Sequence, residues 1–282
     1  EIFEPICRSM ASTRQHESHS LVWGKTLSSA DTTEAEARDV CGRLVGSNVS
    51  GVFFAPLEGN PAKDSINAAI AESLSQAGIP VVLLDRDICD YPGRSRFDVV
   101  GIDNQRAGSA ATRHLLEAGC RRIAFFGRPY MAPSCRARSR GYRDAIAESG
   151  VGHPPPLVEH LDPADRARVA AIVEGYQPDG IICSNDRLAA VLMRTLAGLG
   201  VSVPEQVKLV SFDDVQYANL VTVPLTTIHQ PCDQIGAAAI RAMYDRIANP
   251  DMPARDILLD FRLVVRESSG AAVAEMELAG VG

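Results

Sequence analysis

Residues 202–230 read SVPEQVKLVSFDDVQYANLVTVPLTTIHQ, and this stretch decides the fold. Its apolar run VKLVSF ends abruptly on two adjacent carboxylates, Asp213 and Asp214. A strand that is buried on both faces of a parallel sheet has such a run, and open α/β sheets place ligand groups at the carboxyl ends of their strands. A second β-like run, Leu225–Ile228, follows without a helical pattern between the two. We therefore expect the chain to change domain here, with residues 224–230 as the crossover.

On both sides of this stretch, β-like runs alternate with amphipathic segments. Ala62–Ala77 has a helical pattern and precedes the β-like run Pro80–Leu84, and the same alternation recurs around Gly180–Cys183. This order predicts an α/β fold, with two parallel sheets and helices on both faces of each. The chain opens directly on a helical pattern, residues 2–16, so a first strand is missing from the expected order.

Composition excludes several classes of protein. The chain has 282 residues, enough for two α/β lobes, and 46% of them are hydrophobic. It contains no apolar run of the roughly 20 residues that a membrane span needs. The net charge of −7 argues against a DNA-binding module made of these residues alone. Seven scattered cysteines without a CxxC pair favour a reducing compartment, and hence a cytoplasmic protein.

Enzyme signatures are absent from the sequence. There is no GxSxG elbow, no GxxxxGK[ST] loop and no GxGxxG after a strand. The HxxH pair, His16 and His19, has no third ligand nearby and favours an exposed helix end over a zinc site. We therefore expect no catalytic residue, no metal and no cofactor.

One helical segment carries four arginines, of which Arg138 is the most informative. At 100° per residue, Arg136, Arg140 and Arg143 share one face, which is plausibly solvated, whereas Arg138 lies on the apolar side with Tyr142. An inward arginine needs polar partners. Those partners are either the oxygen atoms of a ligand or a structural carboxylate, and the pattern leaves both open.

Polar residues also follow several β-like runs. Asp85, Asp103 and Asp213 each stand where such a run ends, and Asn185-Asp186 follows another. In parallel sheets these positions suit acceptors for the hydroxyl or amine groups of a ligand. Caps and turns explain such residues individually, and helix capping accounts for one member of the Asn185-Asp186 pair.

An ordered set of motifs covers nearly the whole chain. In chain order they are IPVVLLDR at 79–86, VGIDN at 100–104, GCRRIA at 119–124, RSRGY at 138–142, CSND at 183–186, VPE at 203–205, LVSFDD at 209–214, PLTTIHQP at 224–231 and LVVRES at 263–268. This set resembles the effector-binding part of the lactose-repressor (LacI/GalR) family of transcriptional regulators. The resemblance implies a periplasmic-binding-protein-like fold, with two Rossmann-like lobes joined by three crossovers and a small molecule between them.

The resemblance also implies boundaries for the lobes. The expected N-terminal lobe is 1–118 plus 230–252, and the C-terminal lobe is 119–229 plus 253–270. Residues 271–282 have no counterpart in this scheme and are expected to form a tail. A helix-turn-helix headpiece of about 60 residues would precede the effector-binding part in a family member, and the sequence shows none.

Carried over position by position, the family's ligand contacts fall on seven residues. They are Phe3, Arg86, Asp103, Ser134, Arg138, Asn185 and Asp213. The implied protein is a cytoplasmic homodimer that binds a sugar or sugar derivative, or a purine-like ligand if Phe3 stacks, and that contacts operator DNA through the headpiece. A periplasmic sugar-binding protein of the same fold is the alternative, which the cysteines and the LVVRES ending disfavour. An α/β enzyme is a third reading, for which no nucleophile–base pair is visible.

Overall fold

The computed structural model describes residues 2–12, 21–22, 34–150 and 154–270. Two compact units divide the chain. The first contains the residues up to Asn104, Pro129–Ala137 and Gln230–Phe261, and the second contains Gln105–Arg128, Arg138–His229 and the residues from Arg262 on. The expected tail at 271–282 and the His16/His19 pair lie outside the described residues.

Helices and strands alternate along the described chain. The helices are α1 (Phe3–Ser12), α2 (Glu34–Gly46), α3 (Lys63–Gln76), α4 (Asn104–Glu117), α5 (Pro133–Glu148), α6 (Arg166–Tyr176), α7 (Asp186–Gly198) and α8 (Cys232–Ala248). The strands are β1 (Val52–Phe54), β2 (Val81–Leu84), β3 (Asp98–Ile102), β4 (Ile123–Gly127), β5 (Leu157–His160), β6 (Gly180–Cys183), β7 (Lys208–Asp213), β8 (Thr226–His229), β9 (Asp256–Leu259) and β10 (Arg262–Val264). None of the described helices combines the length and apolarity that crossing a bilayer requires.

The first unit has a four-stranded sheet in the order β1-β2-β3-β9, and all of its pairings are parallel. Every residue of β2 and β3 is buried, as expected for β-branched runs covered on both faces. Helix α1 packs on α8 at Gly236, where an added Cβ would lie 2.7 Å from the carbonyl oxygen of Ile6. The close approach of these two helices therefore depends on glycine at this position.

The second unit has a six-stranded sheet in the order β10-β8-β7-β6-β4-β5. Its pairings are parallel except at one edge, where β10 runs antiparallel to β8. The sequence patterns did not predict β5, because its residues are only half-buried and follow the three prolines at 154–156. The predicted α/β class with parallel sheets is confirmed.

Both β-like runs of residues 202–230 belong to the second sheet. Strands β7 and β8 pair in parallel, with Val210 opposite Thr226, and a 3-10 turn at Gln216–Asn219 lies in the connection between them. The chain passes from the second unit to the first at Gln230, where the expected lobe boundary lies, and Thr226–His229 is still a strand of the second unit. The buried threonines fill the sheet beside β7, and the first unit resumes only at Gln230.

The unit boundaries differ from the expected ones at residues 105–118, 129–137 and 253–261, and the first and last of these differences have clear physical causes. Nearly all of α4, expected in the first lobe up to residue 118, belongs to the second unit. Helices α4 and α5 touch through glycines there: a Cβ on Gly108 would lie 2.0 Å from the carbonyl oxygen of Arg138, and one on Gly141 would lie 1.9 Å from that of Gln105. Strand β9, expected in the second lobe, pairs with β3 and so belongs to the first unit.

Candidate ligand-binding site

Arg138 is the centre of a polar cluster in the second unit. Its side chain faces inward, as expected from its place on α5, and the residue is only 2% exposed. One guanidinium nitrogen donates to the carbonyl oxygen of Ser184 at 2.7 Å and lies 3.6 Å from Oδ1 of Asp213. The guanidinium also stacks 4.5 Å from the ring centre of Phe212. The structure thus brings two of the predicted ligand residues, Arg138 and Asp213, together.

The end of β7 has an uncommon backbone. Asp213 has φ 112° and Asp214 has φ 52°, which are conformations that residues other than glycine rarely adopt. The Asp214 carboxylate accepts from Arg266 at 2.6 Å and lies 2.8 Å from Nδ1 of His229. The carboxylate of Asp214 is therefore bound by Arg266 and His229, whereas the carboxylate of Asp213 points to Arg138.

Asn185 and Asp186 follow β6 and have different roles. Asn185 caps α7, since its side-chain oxygen accepts from the backbone nitrogen of Leu188 at 2.9 Å, which leaves its amide NH₂ as the group that could reach a ligand. Asp186 is fully buried and accepts from Ser211, from the Thr227 hydroxyl at 2.7 Å and from the backbone nitrogen of Val215 at 2.9 Å. Burial raises the pKa of Asp186 to about 6, because these donors only partly replace water.

Three predicted ligand residues meet in the first unit although they are distant in sequence. The guanidinium of Arg86 lies 5.3 Å from the ring centre of Phe3. It pairs with Glu58 at 3.1 Å and lies 3.7 Å from Asp85, whose Oδ2 accepts from the hydroxyl of Ser134 at 3.3 Å. Burial alone would lower the pKa of Arg86, but the carboxylates of Glu58 and Asp85 outweigh it and raise that pKa. The arginine therefore stays charged.

Two polar atoms of this cluster are buried without a hydrogen-bond partner in the described part of the chain. They are Oδ1 of Asp85 and Nε of Arg86. Asp85 has φ 69° and directly follows β2, and its backbone oxygen lies 3.1 Å from the position of a Cβ on Gly101. Asp103 follows β3 and is half-buried. Buried polar atoms of this kind call for an explanation, and a bound ligand is one.

The sequence patterns did not indicate Glu58 or Phe212 as site residues, and Asp85 was not in the predicted ligand set. Glu58 lies in the loop just after β1, so the rule that found Asp85 and Asp103 applies to it as well. Phe212 precedes Asp213 on β7 and was taken only as part of an apolar run. In the described residues, no group of three or more His, Cys, Asp or Glu side chains could hold a metal ion. All seven cysteines are free thiols.

Residues 112–269 match the family described as the periplasmic binding protein-like domain. The chain belongs to this family. A helix-turn-helix-type transcriptional regulator, CelR of Thermobifida fusca, is 30% identical over 80% of the chain and 65% of its own length. The ribose operon repressor of Halalkalibacterium halodurans is 29% identical over 69% of the chain and 57% of its own length. The chain thus spans less than two thirds of the length of these relatives.

Solved structures have the fold that membership of the periplasmic-binding-protein-like family implies. A transcriptional regulator CelR–cellobiose complex has a TM-score of 0.77 at 24% identity, over 95% of this chain and 79% of that one. At this identity the likeness shows the fold. Together with the regulators among the relatives, it confirms the resemblance to lactose-repressor-type regulators that the motifs indicated.

Proposed function

We propose that this chain is the effector-binding and dimerising part of a lactose-repressor-type transcriptional regulator, and that its effector is an uncharged sugar. Regulators named among its relatives support this function over transport. Operator DNA would be bound by a helix-turn-helix segment outside these residues, in a cytoplasmic homodimer. Seven free thiols fit a reducing compartment. Control of DNA binding requires that the sugar bind the two functional states with different affinity.

The observation that carries this proposal is a pair of buried atoms in the first unit that form no hydrogen bond within the described residues. Oδ1 of Asp85 is an acceptor and Nε of Arg86 is a donor, and both are buried. A buried polar atom without a partner costs about 1–3 kcal/mol. A sugar hydroxyl both donates and accepts, so neighbouring hydroxyls of one sugar would satisfy the two atoms together.

Charge argues that the sugar is not phosphorylated. In the first unit one guanidinium, Arg86, already has the two carboxylates of Glu58 and Asp85 beside it. In the second unit Arg138 already has Asp213. Neither arginine offers the uncompensated positive charge that binds phosphate groups. The guanidinium of Arg86 lies over one face of the Phe3 ring, and that face is therefore closed to a stacked purine.

The test is a thermal-shift and calorimetry series with D-ribose, cellobiose, D-ribose 5-phosphate and hypoxanthine. These sugars are chosen from the names of the relatives. We expect an uncharged sugar at 100 times its Kd to stabilise the chain by about 2.7 kcal/mol, and the phosphate and the purine to have no effect. Binding of hypoxanthine alone would contradict the proposal, whereas binding of the sugar phosphate would contradict only its statement about charge.

Arg138→Ala and Asp213→Ala should each abolish calorimetric binding of the sugar found in this series. Either change breaks the Arg138–Asp213 ion pair and removes one of the polar side chains that we propose contact the sugar. The control is Arg143→Ala on the same helix, because Arg143 is exposed and should leave the affinity unchanged. Unchanged affinity in both cluster variants, with circular dichroism showing an intact fold, would remove Arg138 and Asp213 from the site.

A further inference from the structure

The turn that carries Asp213 is made of two consecutive residues with positive φ. The values are 112° for Asp213 and 52° for Asp214, at the point where β7 ends. Such a backbone is unfavourable for residues with a side chain, and it persists only where the surrounding structure holds it. The direction of the Asp213 carboxylate toward Arg138 follows from this turn. Whatever holds the turn therefore sets the geometry of the cluster.

Asp186 is bound to the chain on both sides of that turn. Its carboxylate accepts from Ser211, two residues before Asp213, and from the backbone nitrogen of Val215, two residues after it. It also accepts from Thr227 of β8, whose hydroxyl oxygen lies 3.3 Å from the backbone nitrogen of Asp214. One fully buried carboxylate thus connects the start of α7, the two ends of the turn and the neighbouring strand.

We propose that Asp186 is a positioning residue, which holds the backbone at 213–215 so that the carboxylate of Asp213 lies against Arg138. Asp186 reaches the site through the backbone of Val215 and through the side chains of Ser211 and Thr227. The inference rests on the proposed function only for the identity of the ligand, since the contacts lie within one unit. It goes beyond that function by making affinity depend on a residue that is not in the predicted ligand set.

The charge of Asp186 gives this role a measurable signature. Its three donors are neutral, and burial raises its pKa to about 6. The ionisable groups that face it are Asp214 and the thiol of Cys183. Asp214 is itself paired with Arg266 and His229. A protonated Asp186 accepts the Val215 N–H less strongly than the carboxylate does, so the hold on the turn weakens as the pH falls below about 6.

The first experiment measures the affinity for D-ribose and for cellobiose, each from pH 7.5 to pH 5, in Asp186→Ala, Asp186→Asn and the original chain. Loss of charge-assisted bonds should raise Kd about 30-fold in Asp186→Ala. Asp186→Asn resembles the protonated carboxyl, so its Kd at pH 7.5 should be raised about tenfold, to the level that the original chain reaches near pH 5. The original chain should lose about tenfold in affinity toward pH 5 as this bond weakens, and Asp186→Asn should show a flat profile.

The matched control is Asp165→Ala. It removes a carboxylate that caps α6 in the same unit by accepting from the backbone nitrogen of Arg168 at 3.0 Å. It should leave both the affinity and its pH profile unchanged. A pH profile that persists in Asp186→Asn would overturn the proposal, because a group other than Asp186 would then carry the pH dependence. An unchanged Kd in Asp186→Ala would overturn it as well.

The second experiment needs no ligand. Amide hydrogen exchange of Val215 should be about tenfold faster in Asp186→Ala, because its acceptor is gone, and unchanged in Asp165→Ala. Equal exchange rates in the original chain and in Asp186→Ala would overturn the positioning role even if sugars bind. Faster exchange in a chain that binds neither sugar would support the positioning role and count against the proposed effector, so the two failures are distinguishable.

Discussion

Two fully buried aspartates, one in each unit, show two ways in which this chain handles an internal charge. Asp98 stands at the start of β3 and accepts from Arg246 at 2.8 Å, from the Arg255 side chain at 3.1 Å and from the Arg255 backbone at 2.7 Å. Asp186 stands just after β6 and has only neutral donors. Burial alone would raise both pKa values. The arginines reverse this effect for Asp98, whose pKa is lowered, whereas the pKa of Asp186 is raised to about 6.

The difference follows the direction of the strands. Asp98 lies at the amino end of its strand, away from the edge where parallel sheets bind ligands, and its two arginines fix α8 and the start of β9 to the sheet. Asp186 lies at the carboxyl edge, beside Asn185 and the turn of Asp213. The fully compensated carboxylate therefore lies at the amino edge of the first sheet, and the carboxylate with neutral donors lies at the carboxyl edge of the second, where we propose that the ligand binds.

Asp98→Asn should have the largest effect on stability. It leaves Arg246 with a neutral partner in a buried position and leaves Arg255 with Asp245 as its remaining carboxylate, so we expect the free energy of unfolding in urea to fall by about 3–5 kcal/mol at pH 7. Because the pKa of Asp98 is lowered on folding, its stabilisation is present above the ordinary value of 3.8 and is lost as the pH falls through the folded value.

Asp256→Asn is the control for this prediction, since it removes a carboxylate from an arginine pair in the same unit. Asp256 pairs with Arg94 at 2.9 Å, but these side chains are 53% and 35% exposed. Exposed pairs contribute about 0–1 kcal/mol, so the loss should be small. Equal losses in the two variants would mean that burial is not what makes the Asp98 network strong.

The alternation of strands and helices was predictable because apolar runs and glycine stops are local features of the chain. The inward direction of Arg138 was predictable for the same reason, since helical spacing alone places it beside Tyr142. The order of the motifs indicated the family from the sequence alone. The match of residues 112–269 to the periplasmic binding protein-like domain and the regulators among the relatives confirm it.

What the sequence could not show depends on contacts between distant segments. The pairing of β9 with β3 moved that strand to the first unit, and no local pattern encodes it. The close approach of Gly108 and Gly141 likewise joins α4 to α5. The proposed role of Asp186 was not predictable from the sequence. An aspartate after a strand has the same sequence pattern whether it caps the next helix or holds a turn 27 to 29 residues farther along the chain. The hydrogen bonds from Ser211, Val215 and Thr227 distinguish the two.

Asp186→Asn makes the same chemical change as Asp98→Asn but should have a much smaller effect on stability. We expect the free energy of unfolding at pH 7.5 to change by no more than about 1 kcal/mol, because no cation loses its partner. The raised pKa predicts the pH dependence: stability from this group is fully present below 3.8 and is lost as the pH rises through about 6. As the pH is lowered from 7.5 to 5, the free energy of unfolding of the original chain in urea should therefore rise relative to that of Asp186→Asn. A pKa of about 6 limits that gain to about 1.4 kcal/mol over this pH range. A difference between the two chains that does not change with pH would mean that Asp186 titrates normally, and its contrast with Asp98 would then lie in geometry alone.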